Sequence, residues 1–310
     1  MVLENVFSWS KSREEQFREC QRKYFYDKYA SWGGWDRHAP KEARLAYILK
    51  NLKNRWAWKG ETVHHVIENV LKSVRHQAPL SYESALAQLT DTMRRDYRHS
   101  KAKKYLEEPK KTLGLFEHEY EKPVTDATWK KIHEESARCL KNFFDSSLYQ
   151  ELLNDDVARW LVIEDLEEFD FERNKIFVKL DFARKKEDVI EIYDWKTGKP
   201  DLPEGTSIQM AVYAMYAMGK WKVPLNQIQT YLFNLTDAPA ERKAQLLSES
   251  SIETAKKTLS AGIADMKRLL ADPRKNIPLP EEAFAFTDNT RLCDYCNFRK
   301  ICKKYLSVIL

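Results

Sequence analysis

The sequence predicts an α/β fold, a small mixed β-sheet with helices on both faces. Three observations predict it. The first half of the 310 residues carries helical patterning broken by short polar loops. Near residue 160 the hydrophobic period changes to alternation, over three runs joined by short turns. A long helical run and a fourth strand-like run follow, and a strand–helix–strand passage implies a crossover that adds a parallel strand to the same sheet.

Taken in order, residues 10–29 mix polar and aromatic side chains without Gly or Pro and read as helix. Ser31 to Pro40, with Gly33 and Gly34, reads as a loop. A helix is expected over 61–76, after Gly60, with Val63, Ile67, Val70 and Val74 on one stripe. Ser81-x-x-Ser84 opens another, running to about Arg98. Lys101 to Lys111 is a basic, polar loop, and 126–153 is helical again. Residues 160–169, 175–184 and 188–196 read as strands. The turns Glu172-Arg173-Asn174 and Lys185-Lys186-Glu187 make them an antiparallel meander, and Thr197-Gly198-Lys199-Pro200 ends the third strand. Helix over 206–219, strand over 226–235 and an amphipathic helix over 252–271 complete the pattern. The chain reads as one domain, 1–310: an N-terminal segment 1–60, a helical insertion 77–158, a core sheet 159–235 and a cysteine-bearing tail 290–306.

Hydrophobic residues make up 43% and charged residues 32%, with both signs interspersed, so the chain is globular and not disordered. A net charge of +5 fits a nucleic-acid partner without requiring one. The N-terminus lacks a basic stretch leading into an apolar core, and no apolar run is long enough for a membrane helix. A cytosolic protein is expected. In a reducing cytosol its five cysteines (Cys20, Cys139, Cys293, Cys296 and Cys302) are expected as thiols or metal ligands, not disulfides.

Asp194-Trp195-Lys196 closes the third strand, and alternation puts Asp194 and Lys196 on one face. Asp181 stands near the end of the preceding strand, where a short turn makes it a cross-strand neighbour of Asp194. Two such carboxylates repel unless a cation sits between them, and oxygen ligands suit Mg²⁺ or Mn²⁺. A lysine beside that cation can orient water or offset charge on a phosphate. The run Ile192-Tyr193-Asp194-Trp195-Lys196-Thr197-Gly198-Lys199 resembles the acid-x-Lys motif of RecB-like nucleases of the PD-(D/E)XK superfamily. Leu180-Asp181 resembles the preceding Asp motif, Gly60-x-x-x-His64 the Gly-x-x-x-His motif, and Gln209-x-x-x-Tyr213 the Gln-x-x-x-Tyr motif. The resemblance implies a restriction-endonuclease-like core. It implies that Asp181, Asp194, His64 and the backbone carbonyl of Trp195 bind the metal, and that Lys196 activates water. Gln209 and Tyr213 would contact the phosphate or order the site. Glu164 occupies a place where some relatives keep a Glu.

Cys293-x-x-Cys296 followed by Cys302 lets neighbouring thiolates reach one metal centre, and a fourth ligand must come from Cys20 or Cys139. Spacing alone does not separate zinc from an iron–sulfur cluster. The segment Phe7 to Ser12 with Arg18-Glu19-Cys20-Gln21-Arg22-Lys23-Tyr24-Phe25-Tyr26 resembles the N-terminus of cluster-binding RecB-like nucleases, including AddB-type domains and CRISPR-associated exonucleases. Gln21 replaces the Pro that many relatives carry there. The resemblance implies a 4Fe–4S cluster on Cys20, Cys293, Cys296 and Cys302, clamping the two ends of the chain together. Cys139, within a helix, reads as a buried structural thiol.

The implied activity is hydrolysis of DNA by a deoxyribonuclease, exonucleolytic on single-stranded ends, in recombination, repair or CRISPR-type processing. The alternatives are a non-catalytic DNA-end-binding subunit of a helicase or integrase complex, and a zinc-stabilised RNA-processing nuclease. No G-x-x-x-x-G-K-[ST] loop is present, so unwinding would need a helicase partner. Lys101 to Lys104, Lys110-Lys111, Arg184 to Lys186 and Arg299 to Lys304 offer cations to phosphates, and Trp32, Trp35, Trp56 and Trp58 offer rings to unpaired bases.

Overall fold

The structure, a computed structural model, describes residues 4–198 and 203–303. Strand Ser8–Trp9 (β1) leads into helix Lys11–Glu19 (α1), where the Ser10 hydroxyl caps the first turn by accepting from the Arg13 N–H. The helix expected over 10–29 is interrupted at Cys20, whose extended backbone separates α1 from Gln21–Phe25 (α2) and a wide-turned segment Tyr26–Ala30. Lys41–Lys50 (α3) and Leu52–Lys53 (β2) precede the long helix Arg55–Arg75 (α4). That helix starts before Gly60, not after it. Asn54 is the cap, its side-chain oxygen accepting from the Trp56 and Ala57 N–H groups at 3.1 and 2.9 Å, and this signal outweighs the weak helix propensity of glycine.

Tyr82–Lys101 (α5), Gly114–Leu115 (β3), Phe116–Glu119 (α6), Asp126–Phe144 (α7) and Ser147–Leu153 (α8) follow. Ser81 caps α5 through the Ser84 N–H, as the sequence indicates, and a second cap at Ser146 divides the expected helix over 126–153. Val63, Ile67 and Val70 of α4 pack with Leu89 of α5 and Leu140 and Phe143 of α7 in one core.

The strand region departs further from the reading. Each of the first two runs is two strands: Trp160–Ile163 (β4) and Leu166–Phe171 (β5), then Asn174–Lys179 (β6) and Phe182–Lys186 (β7). The breaks fall at Glu164, which is left-handed (φ 56°), and at Leu180-Asp181. The Glu164 N–H donates to the Asp181 carbonyl at 2.9 Å, so one long hairpin bends at the same level in both arms. Its outer half joins β1 in a three-stranded sheet ordered β1-β6-β5. Its inner half joins Val189–Lys196 (β8). Helix Pro203–Trp221 (α9) then crosses to Ile228–Asn234 (β9), and Arg242–Gln245 (β10) completes a five-stranded sheet ordered β10-β9-β8-β7-β4. β7 pairs with β8 antiparallel and β8 with β9 parallel, the mixed sheet the sequence predicts. Lys199 and Pro200, read as the end of the third strand, lie outside the described residues.

The central strand β8 is covered on both faces. Ile190 and Ile192 enter one core with Met210 and Ala214 of α9 and Leu259 of helix Glu249–Lys267 (α10). Tyr193 and Trp195 enter the other, with Phe143 of α7. Arg184 does not join a basic surface. It is 1% exposed and bound by Glu151, Asp155 and Glu191, the last two at 3.0 and 2.7 Å, because a buried guanidinium requires such partners. Among the described residues no helix is long and apolar enough to cross a membrane.

Candidate active site

The bend in the hairpin places the acids. Asp181 lies just past β6, and continuing the β7–β8 register from Phe182↔Tyr193 sets it opposite Asp194. The Asp181 carboxylate accepts the Trp195 backbone N–H at 2.6 Å, which ties the bend to the edge of β8. Asp194 and Lys196 share the face toward α9, as alternation requires, and the Lys196 ammonium stands 2.6 Å from the Asp194 carboxylate. Trp195 turns its ring into the opposite core and meets the site through its backbone.

Helix α9 supplies the next layer, with Gln209 and Tyr213 one turn apart. The Gln209 amide donates to Asp194 at 2.9 Å and to the Tyr213 hydroxyl at 2.7 Å, and its oxygen accepts from Lys196 at 3.4 Å. The Tyr213 hydroxyl donates to the Lys179 carbonyl at 2.7 Å and stands 3.4 Å from Asp194. Both residues therefore grip Asp194 and the strand end. Helix α4 closes the far side. His64 Nδ1 is 2.9 Å from Glu164 and 3.4 Å from Asp181. A Cβ on Gly60 would stand 3.0 Å from the Thr197 hydroxyl, so the missing side chain lets α4 approach the end of β8 closely.

All of these residues but Glu164 and Thr197 line a cleft of about 1000 Å³, whose other wall is the N-terminal run Trp9, Ser10, Lys11, Ser12 and Arg13. Residues 8–303 match the PD-(D/E)XK nuclease superfamily. The chain belongs to that superfamily. A candidate exonuclease from Eubacterium rectale is 12% identical, with 76% of this chain and 88% of that chain covered and a TM-score of 0.34. The protein SSO0001 is 16% identical over 61% of this chain and 79% of its own, with a TM-score of 0.29. No curated protein matches the chain.

Nucleases of this superfamily use divalent metals, and the nuclease described here has a donor set to match. One ligand atom each from His64, Glu164 and Asp181 lies within 4.8 Å of the others. Two carboxylates and one imidazole, with the Asp194 carboxylate opposite Asp181, make a hard, oxygen-rich set. The electrostatics show what the cluster costs. Burial and the adjacent Asp181 charge push Asp194 up, to about 6, against the pull of Lys196. Burial works against a charged His64, yet Asp181 and Glu164 overcome it and lift the imidazole to about 10. Burial would also raise Glu164, but the hydrogen bond from His64 and the Lys179 ammonium at 2.7 Å hold it low. Protonated His64 and the two lysines thus balance the acids.

Glu164 is more central than its sequence signal implies, and Lys179 is absent from the sequence reading altogether. Parity offered a signal: Lys179 and Asp181 are two apart on one strand arm and point to one side. The wall Trp9 to Arg13 was read only as part of a cluster-binding N-terminus. What brings it here is the parallel pairing of β1 with β6, Ser8↔Lys175 and Trp9↔Ile176, which local patterning does not encode.

The nuclease has a second convergence, 273 residues apart along the chain at its nearest (Cys20 to Cys293). Cys20, Cys293, Cys296 and Cys302 line one small pocket with Arg22, Tyr26 and Phe298. Cys139 is buried in the helical core, well apart from them in the packing. Burial pushes the Cys296 thiol up to about 11, and the nearby Cys20 and Cys302 add to the shift. Among the described residues, the one group of three or more His, Cys, Asp or Glu ligands converging within 4.8 Å is the one at His64. The ends are also joined by hydrogen bonds: Arg22 donates to the Phe284 carbonyl and to Glu281 at 3.0 and 2.7 Å, and Tyr120 donates to the Asn297 carbonyl at 2.5 Å.

Proposed function

We propose that this chain is a metal-dependent deoxyribonuclease that digests DNA exonucleolytically from single-stranded ends, with Mg²⁺ or Mn²⁺ in the acidic site and a 4Fe–4S cluster on its four converging cysteines. The observation that carries the reading is the meeting of Asp181, Asp194, Lys196 and His64 at one bend, with Gln209 and Tyr213 bracing it from α9.

Asp181, Asp194, Glu164, His64 and the Trp195 carbonyl would hold the cation. When bound there, it would draw charge from a phosphate and make water more acidic. Lys196 holds its ammonium against Asp194, where it can orient the attacking water and offset charge on the phosphate oxygens. The water oxygen would bond to phosphorus as its proton passes to a solvent water in the open cleft, the phosphorus–sugar oxygen bond would break, and the leaving oxygen would take a proton from another solvent water. Gln209 and Tyr213 keep Asp194 aimed at the cleft. Lys11 and Arg13, on the opposite wall, would receive backbone phosphates.

For the second metal, four thiolates around one pocket fit a cluster. The cluster would add to the hydrogen bonds that already dock the ends.

An end-labelled single strand is the test, incubated with anaerobically purified protein and Mg²⁺, Mn²⁺ or chelator. Wild-type protein should shorten it with metal, and Lys196→Ala should not. A brown protein that binds the strand and leaves it intact under every condition would make it a non-catalytic end-binding subunit.

A further inference from the structure

Two exposed aromatic rings stand just outside the cleft, and nothing in the catalytic arrangement uses them. Trp56, in the first turn of α4, is 45% exposed, and Tyr295, between Cys293 and Cys296, is 41% exposed. Their ring centroids are 5.3 Å apart at 64°. The core does not require Trp56 there. Trp58, two residues on, is the buried tryptophan of this turn, packed on Trp129 and donating to Asp96 at 3.3 Å.

Both rings are held in place. The Arg55 guanidinium lies 3.8 Å over the Trp56 ring and is fixed by the buried Glu117 at 3.0 Å. Tyr295 rests against buried Phe116 at 5.6 Å, with the Lys122 ammonium 5.2 Å from its ring. A large apolar surface kept in water and flanked by cations is what a base-stacking, phosphate-binding step needs. Its position points the same way. Trp56 is one helical turn before Gly60 and two before His64, so it borders the helix face that lines the cleft. The rise from Trp56 to His64 is about 12 Å, a reach of about two to four nucleotides.

We propose that Trp56 and Tyr295 form a stacking step for the bases of a single strand whose backbone enters the catalytic cleft. The proposal rests on the single-strand reading above and sharpens it: duplex DNA keeps its bases stacked on each other, and only unpaired bases can use the two rings. Because Tyr295 belongs to the cysteine loop, the step also links that loop to the substrate path.

The test measures binding of two fluorescent oligomers, an oligothymidylate and an abasic strand of equal length and charge. The full-length protein carries Lys196→Ala so that the DNA survives. Trp56→Ala should weaken oligothymidylate binding by about fivefold or more, and Trp56→Phe should recover most of it. The abasic strand should show no such difference. Loss of tryptophan fluorescence on adding oligothymidylate should disappear in Trp56→Phe, a readout that does not depend on the alanine variant folding. Equal binding of oligothymidylate by Trp56→Ala and its parent would overturn the proposal, as would an equal loss on both oligomers. If the parent neither binds nor, with Lys196 restored, cuts oligothymidylate while cutting duplex ends, the single-strand reading falls and the step falls with it.

Discussion

The acidic site and the cysteine pocket are built in opposite ways. Asp181, Asp194 and Lys196 come from adjacent strands, and the helices either side add one or two side chains each. Every group in that site already has a partner at hydrogen-bonding distance, so charge is balanced before any cation binds. The cysteine pocket draws on the two ends of the chain, and hydrogen bonds from Arg22, Tyr26 and Tyr120 help dock the segments around it. A local site can be tuned residue by residue, whereas a site spanning both ends restrains the whole fold. Damage to the first should remove chemistry and spare the fold. Damage to the second should weaken the fold first.

The sharpest contrast comes from Lys196→Ala and Asp194→Asn. Each should lower cleavage by about a thousandfold, and Asp194→Asn should leave thermal stability unchanged or improved, since Asp194 is held against its preferred charge state. Retention of cleavage within tenfold in either variant would break the assignment of chemistry to this bend. On the other side of the comparison, Cys296→Ser should cost iron content and several degrees of Tm, while the protein that remains folded keeps cutting. An unchanged Tm would mean that hydrogen bonds alone hold the ends.

Acidity offers a subtler probe. His64 is raised from 6.5 to about 10, so the stability it contributes is complete below about 6.5 and is lost as pH rises toward 10. Asp194 is raised from 3.8 to about 6, so its unfavourable charge appears as pH rises through that window. Both act in one direction, and the Tm of metal-free protein should fall from pH 6.5 to 10, whereas in acid the lowered Glu164 works the other way. Mn²⁺ held there would take over the role of the His64 proton and should flatten the fall, measured by calorimetry at several pH values. A metal-free Tm that climbs from pH 6.5 to 10 would contradict the charge balance drawn here. The smallest effect expected is that of Tyr213→Phe, which removes one hydroxyl bridging Asp194 and the Lys179 carbonyl. Cleavage should fall by about fivefold, the worth of one hydrogen bond.

Much of this was legible in the residues. Alternation put Asp194 and Lys196 on one face, the short turn set Asp181 across from Asp194, and the change of period located the sheet. What escaped was how the hairpin divides. The run 160–169 is apolar from Trp160 to Ile163 and then carries the acidic pair Glu164-Asp165, which a single strand could also present to solvent, and the left-handed backbone at Glu164 shows where one sheet stops and the next begins. That bend answers to pairing with Asp181, seventeen residues on, so no local pattern declares it. The start of α4 was missed for a related reason: Gly60 looked like a boundary, while Asn54 carried the cap. Arg184 looked like its surface neighbours Lys185 and Lys186, because parity on a strand does not say which face is covered.

The most direct test is a calorimetric titration of Mn²⁺ into chelator-treated wild-type protein and into Asp181→Asn. Asp181 touches both sides of the site, the Trp195 backbone and His64. Wild-type protein should bind the ion, releasing a proton, and the variant should bind it at least about tenfold more weakly. Equal affinities in the two proteins would mean that the cation is held elsewhere, and the bend would lose its claim to be the catalytic centre.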